Sequence, residues 1–446
     1  MAARFTSRRF LKPLFGTLVV TAGAGGAVAL YSFRSSRERD QWQNRPVPRS
    51  PEKINFPRLK SRDEQIEDLR RSGAKKGDPT TTALARQPSS SVLAKTDSSD
   101  KGDDIYDLLI IGGGATGTGI ALDAVTRGLR VALVERDDFS SGTSSKSTKL
   151  VHGGVRYLEK AVWNLDYNQY ELVREALRER KYFLDIAPHL SSWLPTILPI
   201  RKWYEAPYLW AGTKLYDFLA GSEGPEGSYF LTKHKTLNAF PTLDGNQLVG
   251  SLVYHDGQHN DSRMNISLAV TAALYGATVV NHLKVTSLEK DSTGKICGVR
   301  VQDQLDNQNR SEKNDQFVVR AKGVINATGP FSDTLRQMDE PEREGIVAPS
   351  SGVHVVLPSW FGPKNMGLID PSTDGRVIFL LPWEGNLIAG TTDTPCSISA
   401  NPLPKEQEIH WILDEVRRLV DPNIDVQRSD VLAAWSGTSN SHRPVC

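Results

Sequence analysis

Gly112, Gly114 and Gly117 stand at the spacing G-x-G-x-x-G, directly after the apolar run "IYDLLII" and directly before the helix-compatible stretch "TGTGIALDAVTRG". In that context the three glycines have separate physical tasks. The first permits a tight turn, the second lets backbone approach a pyrophosphate, and the third lets helix and strand pack closely. The helix N-terminus behind them supplies N–H donors and a partial positive charge for phosphate. A second apolar run, "LRVALVE", ends on Glu135, at the separation expected for a carboxylate that accepts a hydrogen bond from a ribose 2′-hydroxyl. Glu135 by itself does not separate NAD from FAD. The segment that follows, "SSGTSSKSTKLVHGGVRYL", is too polar and too rich in glycine for a simple core element, and it suits a loop laid along an extended cofactor. Within it Ser147, Thr148, Lys149, Leu150, His152 and Gly153 are expected against that cofactor. Further on, "KGVINATGPFSD" places Ala327, Thr328 and Gly329 in a strand-end turn that would close over the phosphate side of a flavin nucleotide. Two such signals in order favour FAD.

The elements that must position these residues follow from periodicity. The run 105–111 is the short continuous apolar type of a strand buried in a parallel sheet. The stretch "NLDYNQYELVREALRERKYFLDIAPHL" carries Leu165, Tyr170, Leu172, Val173, Leu177 and Phe183 at largely helical spacing and stops at Pro188, which predicts a long amphipathic helix. Between Ser251 and Ala327 a helical pattern, "SRMNISLAVTAALYGA", is followed by strands with Asp-Ser-Thr-Gly as a hairpin turn. Strand patterns continue in "SGVHVVLP", "GRVIFLLPW" and "NLIAGTTD". The expected fold class is α/β: a Rossmann-like dinucleotide domain of the glutathione-reductase type with a mixed α+β substrate domain. The expected division assigns residues 105–180 and 250–335 to the cofactor domain and 181–249 and 336–437 to the substrate domain.

The 446 residues are 39% hydrophobic and 24% charged, ordinary for a globular chain with room for more than one domain. A formal charge of +2 gives no general electrostatic case for nucleic acid. Three dispersed cysteines, Cys297, Cys396 and Cys446, argue against a disulfide framework or a four-thiolate metal site, and no EF-hand pattern occurs, so no metal is expected. The start, "MAARFTSRRFLKPLFG", has four basic residues, and no acid precedes Glu38. With the uncharged span from Pro13 to Phe33, it is expected to be a mitochondrial presequence joined to an inner-membrane anchor over 1–33. Residues 34–104, rich in Ser, Pro, Thr and charge, are expected to be a disordered linker.

The stretch from Asp107 to Tyr157, together with "YHDGQHNDSRMN", "INATGPFSD", "SSGVHVVLP", "RVIFLLPWEGNLIAGTTDTP" and "VLAAWSG", resembles the mitochondrial, membrane-associated, FAD-dependent glycerol-3-phosphate dehydrogenases over about Ile105 to Gly437. The resemblance implies oxidation of sn-glycerol 3-phosphate to dihydroxyacetone phosphate by hydride transfer to flavin, with electrons passed to ubiquinone. It places the protein at the mitochondrial inner membrane with its catalytic region facing the intermembrane space, and leaves a homodimer open. Oxidising a secondary alcohol requires a base near the hydroxyl, and a phosphate dianion requires fixed cations. Arg156 is the expected substrate-anion residue, with Tyr157 as a hydrogen-bond donor beside it. His152, His259 and His354 are the histidines inside the shared motifs, and His354 is expected to be catalytic together with Arg156 and Tyr157. Thr391 and Thr392 resemble the turn near the substrate pocket, while Asp261 and Arg263 suit an ion pair or helix cap.

Two further stretches carry expectations. Arg201 to Gly221 interleaves Trp203, Tyr204, Tyr208 and Trp210 with Arg201, Lys202 and Lys214, which suits an interfacial segment able to admit a quinone as well as it suits core packing. After Gly437 the chain runs into "TSNSHRPVC", where Arg443 lies farther along than the family's substrate arginine, so no substrate role passes to it. Residues 438–446 are expected to be an atypical tail without a core pattern, and the chain as it stands is expected to be inactive or weakly active. The competing readings are a related FAD-dependent amine or amino-acid oxidase and a non-catalytic FAD-binding remnant.

Overall fold

The computed structural model describes residues 58–73, 104–154, 164, 166–221, 227–305 and 316–442. The expected presequence and anchor over 1–33, and also Arg156 and Tyr157, lie outside the described residues. Among the described residues no helix is long and apolar enough to cross a membrane.

The chain runs α1 (Arg62–Gly73), β1 (Tyr106–Ile111), α2 (Ala115–Thr126), β2 (Val131–Val134), β3 (Leu150–Val151), α3 (Tyr167–Ile186) and β4 (Ser191–Ile200). It continues with α4 (Glu205–Ala220), β5 (Tyr229–Thr232), α5 (Lys233–Ala239), β6 (Gly250–His259), α6 (Asp261–Leu274), β7 (Thr278–Val280), β8 (Leu283–Lys290) and β9 (Ile296–Asp303). The remainder is β10 (Gln316–Asn326), α7 (Ser332–Asp339), β11 (Val347–Leu357), β12 (Gly367–Pro371), β13 (Val377–Trp383), β14 (Asn386–Gly390), β15 (Thr394–Pro395), α8 (Glu406–Leu419) and β16 (Ala433–His442).

These strands form two sheets. The first has the order β7-β2-β1-β10-β9-β8, with β7, β2, β1 and β10 mutually parallel and β9 and β8 antiparallel. β1 and β2 read as almost unbroken apolar runs because both their faces are covered. On one face Ala121 and Ala124 of α2 and Ala269 and Ala272 of α6 pack on Ile110, Leu133 and Val279. The second sheet has the order β15-β11-β14-β13-β12-β4-β6-β3, with β16 paired to β11 and β5 to β6. Its main core joins Val353, Val355 and Leu357 of β11 to Ile409, Ile412, Leu413 and Val416 of α8. The α/β class, the helix 167–186 and the Asp291–Gly294 hairpin all agree with expectation.

Three expectations are corrected. Residues 62–73, expected inside a disordered linker, form α1, which buries Ile66 and Leu69 against the free face of the first sheet. Polar anchors complete its docking: Arg62 forks onto Asp303 at 2.8 and 3.0 Å, and the Gln65 side chain accepts from the Val279 N–H at 2.7 Å. The division of domains also moves. β6, expected in the cofactor domain, pairs with β4 along its whole length and so belongs to the second sheet, as does β3. Finally, the expected boundary at Gly437 is no structural break, because β16 continues to His442 and pairs with β11 from Ala433↔Val356 to His442↔Val347. Backbone N–H and C=O groups make that ladder, so the polar side chains of "TSNSH" are no obstacle to it.

Candidate FAD site

At the carboxyl ends of β1, β2 and β10 the parallel sheet opens into a long cleft, where ligands of open α/β sheets bind. Gly112, Gly114, Glu135, Ala327, Thr328 and Gly329 all line it. The glycine turn is dictated by contact. Gly112 has φ +111°, a backbone region open to glycine, and a Cβ on it would overlap the carbonyl oxygen of Ala327. A Cβ on Gly117 would overlap the carbonyl oxygen of Gly112, so α2 can approach the turn because position 117 carries no side chain. Gly117 itself is buried behind the cleft. The Glu135 carboxylate holds the turn from the other side, accepting from the N–H of Gly113 at 2.6 Å and that of Asp137 at 2.7 Å. Arg136 lies over the Phe331 ring at 5.0 Å and shapes the wall beside it.

The hydroxyl-rich loop reaches the cleft earlier in the chain than expected. Ser140, Ser141, Gly142, Thr143, Ser144 and Lys146 line it, whereas Ser147, Thr148, Lys149, Leu150, His152 and Gly153 do not. Each of the latter is engaged or placed elsewhere. Ser147 and Lys149 are held by Asp261, with the Lys149 ammonium 2.6 and 2.7 Å from its two oxygens. Leu150 pairs with Gln258 in the second sheet. His152 is exposed, and its Nδ1 accepts from the Gly154 N–H at 3.2 Å. Gly153 sits against Leu177 and Tyr216, and its N–H donates to Asp256 at 3.2 Å. Asp256 is itself paired with Arg180, both of them fully buried, and accepts from Tyr216 at 3.0 Å. Burial together with the nearby Asp256 charge pushes the Tyr216 phenol well above its ordinary pKa.

His354, expected in the catalytic set, does not line the cleft. It is 3% exposed, its Nε2 is 2.9 Å from Thr148 Oγ1, its ring stacks on Trp435 at 5.4 Å, and Nδ1 has no partner among the described residues. Burial, reinforced by the Lys149 charge, pushes its pKa down to about 3. An imidazole so weakly basic is poorly matched to taking a proton near neutrality. The geometry fits a neutral ring that positions Thr148. His259 stands edge-on to Phe183 at 4.9 Å, and burial lowers its pKa too. Thr392 is also committed, since its hydroxyl donates to Glu408 at 2.9 Å and accepts from the Val353 N–H at 2.9 Å. Thr391 remains partly exposed, with its hydroxyl on the Thr392 carbonyl at 3.1 Å. Asp261 and Arg263 differ from the expected ion pair or cap: Asp261 opens α6 and pairs with Lys149, while the cap is Asn260, which accepts from the Arg263 N–H at 3.1 Å.

Lining residues that sequence reasoning missed are Leu283, Val285, Leu335 and Met338, an apolar slot at the Glu135 end, and Ser399, Ala400, Pro402 and Thr438 from the second sheet's side. None carries a motif. FAD fits these residues, with the glycine turn and the N-terminus of α2 placed for the pyrophosphate, Glu135 for the ribose and the apolar slot for the adenine.

Comparison with known proteins agrees. The FAD dependent oxidoreductase family matches residues 107–446. The mitochondrial glycerol-3-phosphate dehydrogenase of Homo sapiens is 56% identical over 338 residues, covering 74% of this chain and 46% of the relative. The mitochondrial glycerol-3-phosphate dehydrogenase SDP6 of Arabidopsis thaliana is 48% identical over 428 residues, covering 95% of this chain and 62% of the relative. Among solved structures, the glycerol-3-phosphate dehydrogenase of Bacillus halodurans complexed with FAD is 32% identical, with a TM-score of 0.60, over 76% of this chain and 57% of that one. The chain thus spans about half the length of the human relative it matches. By the extent of the match and the build of its cleft, the chain belongs to the family of FAD dependent oxidoreductases.

Proposed function

We propose that this chain oxidises sn-glycerol 3-phosphate to dihydroxyacetone phosphate. The observation that carries the reading is the 56% identity to mitochondrial glycerol-3-phosphate dehydrogenases over 338 residues, 74% of this chain. FAD, when bound, supplies the acceptor for the hydride leaving C2 of the substrate. The glycine turn, Glu135 and the Ser140–Ser144 loop hold and orient the dinucleotide. Arg156 and Tyr157 receive the substrate phosphate and hydroxyl, where a guanidinium can grip phosphate oxygens through two parallel hydrogen bonds. His354 and Asp261 act through Thr148 and Ser147, fixing the loop that leads to Arg156. As the hydride leaves C2 the hydroxyl proton passes to a side-chain base, and His152, exposed on the loop that runs on to Arg156, is the motif histidine assigned to take it.

The electrons go on to ubiquinone at the mitochondrial inner membrane. The exposed aromatics around α4, Trp203 at 75% and Trp210 at 51% with Tyr204 and Tyr208, support that reading, because amphipathic rings favour a membrane–water interface. The test is to mix the full FAD-loaded chain anaerobically with sn-glycerol 3-phosphate and then add a ubiquinone analogue. Bleaching of the visible flavin absorbance, recovered by the quinone, supports the proposal. Bleaching by amines instead, or by neither class of substrate, would sink it.

A further inference from the structure

Asp261 and Asn265 lie one turn apart on α6, so both project from the same face of that helix. Neither lines the cofactor cleft, yet each grips one of its walls. Asn265, 1% exposed, donates through Nδ2 to the carbonyl of Gly113 at 2.9 Å and accepts from Thr118 Oγ1 at 2.6 Å. It therefore holds the glycine turn and the first turn of α2 together. Asp261 accepts from the Ser147 N–H at 3.1 Å and the Ser147 hydroxyl at 2.8 Å, and binds the Lys149 ammonium through both oxygens. The third ammonium proton goes to the carbonyl of Ser145 at 2.6 Å. Every donor of Lys149 is thus spent on pinning its own loop.

The two walls also meet directly, through the Ser140 N–H on the Gly113 carbonyl at 3.2 Å and the Ala115 N–H on Ser144 Oγ at 2.9 Å. We propose that α6 is a two-point brace that sets the separation of the walls, with Asn265 positioning the pyrophosphate end and Asp261 positioning the loop beside the rest of the cofactor. A cradle whose donors are fixed before the ligand arrives does not lose affinity to ordering them. The buried Lys149–Asp261 pair suits that task. Such pairs contribute little net stability, yet they tolerate few alternative geometries.

The inference rests on FAD as the ligand of the cleft, and binding to the full apo chain tests both. Affinities for FAD and for ADP, which is the half of FAD that meets the glycine turn, are measured by calorimetry. Asn265→Leu should weaken both ligands alike, by about five- to tenfold, the loss of roughly one hydrogen bond's positioning. Asp261→Asn combined with Lys149→Met leaves no lone buried charge, and should weaken FAD by a similar factor while leaving ADP within about twofold of wild type. Should the double variant fail to fold, Ser147→Ala keeps the ion pair and should give the same split at smaller size. A merely structural role would lower both affinities in step in all variants, and that result, or wild-type affinity throughout, overturns the brace. A wild-type chain that binds ADP but not FAD overturns the FAD reading along with it.

Discussion

The buried His354 makes a quantitative prediction about acid. Its imidazole sits at 3% exposure between Thr148 and Trp435, with the Lys149 charge nearby, and is held neutral with a pKa of about 3 against an ordinary value of 6.5. Between those two values the unfolded chain binds a proton at this site that the folded chain refuses. Folding stability must therefore be fully present above about pH 6.5 and fall as the pH falls through the window toward 3. Each pH unit inside the window is worth about 1.4 kcal/mol. At pH 5, about 1.5 units below the unfolded value, His354 should remove about 2 kcal/mol of stability relative to pH 8. Urea unfolding of the full chain at pH 8 and pH 5, followed by circular dichroism, measures this directly. His354→Gln, which cannot titrate, should cut the acid loss by about 2 kcal/mol, whatever it does to stability at pH 8. His259, whose pKa is lowered in the same direction, contributes a separate part, so His259→Gln serves as the comparison. If His354→Gln and wild type lose equal stability between the two pH values, the buried neutral imidazole is not what the geometry says it is.

Two further outcomes follow from the site. Gly117→Ala should lower FAD affinity at least tenfold with the second sheet's fold retained, because the new methyl overlaps the Gly112 carbonyl, a backbone atom that moves only by opening the turn; flavin fluorescence titration checks this. Arg180→Leu should cost about 3–5 kcal/mol in chemical denaturation, since it strands the Asp256 carboxylate in a fully buried place, and Arg180→Leu/Asp256→Leu should regain most of it. A loss under about 1 kcal/mol in the single variant would contradict the burial of that pair.

What could be read from the sequence was whatever sits close together along it. Gly112, Gly114, Gly117 and Glu135 occupy a single strand–turn–helix–strand unit, and their spacing alone carries the geometry. The hydroxyl loop was recognisable as cofactor-facing by composition, but which hydroxyls face the cleft depends on Asp261, more than a hundred residues away, drawing Ser147 and Lys149 aside. The same reason hides Thr392, whose hydroxyl is taken up by Glu408 on another element. β6 was legible as a buried strand, yet an apolar run does not encode which sheet it joins. Helix α1 was missed because Ile66 and Leu69 are its two hydrophobic residues, and it relies for the rest on ion pairs and backbone contacts with partners far along the chain. Sparse apolar content looks like a linker unless those partners are known.

That helix has a consequence for the order in which the molecule can be assembled. Arg62 meets Asp303, 241 residues later, and Ser72 meets the backbone of Arg320, 248 residues later. A ribosome therefore releases α1 long before its seat exists, and the helix cannot close over Leu109, Val134 and Val319 until β10 has emerged and paired. Until then the cluster of Leu109, Val134 and Val319 lacks the two apolar side chains, Ile66 and Leu69, that α1 adds to it, and α1 is the latch that ends that interval. A shortened chain beginning at Ile105 would never reach that closed state, and should be recovered mainly as aggregate even though every cleft residue is present.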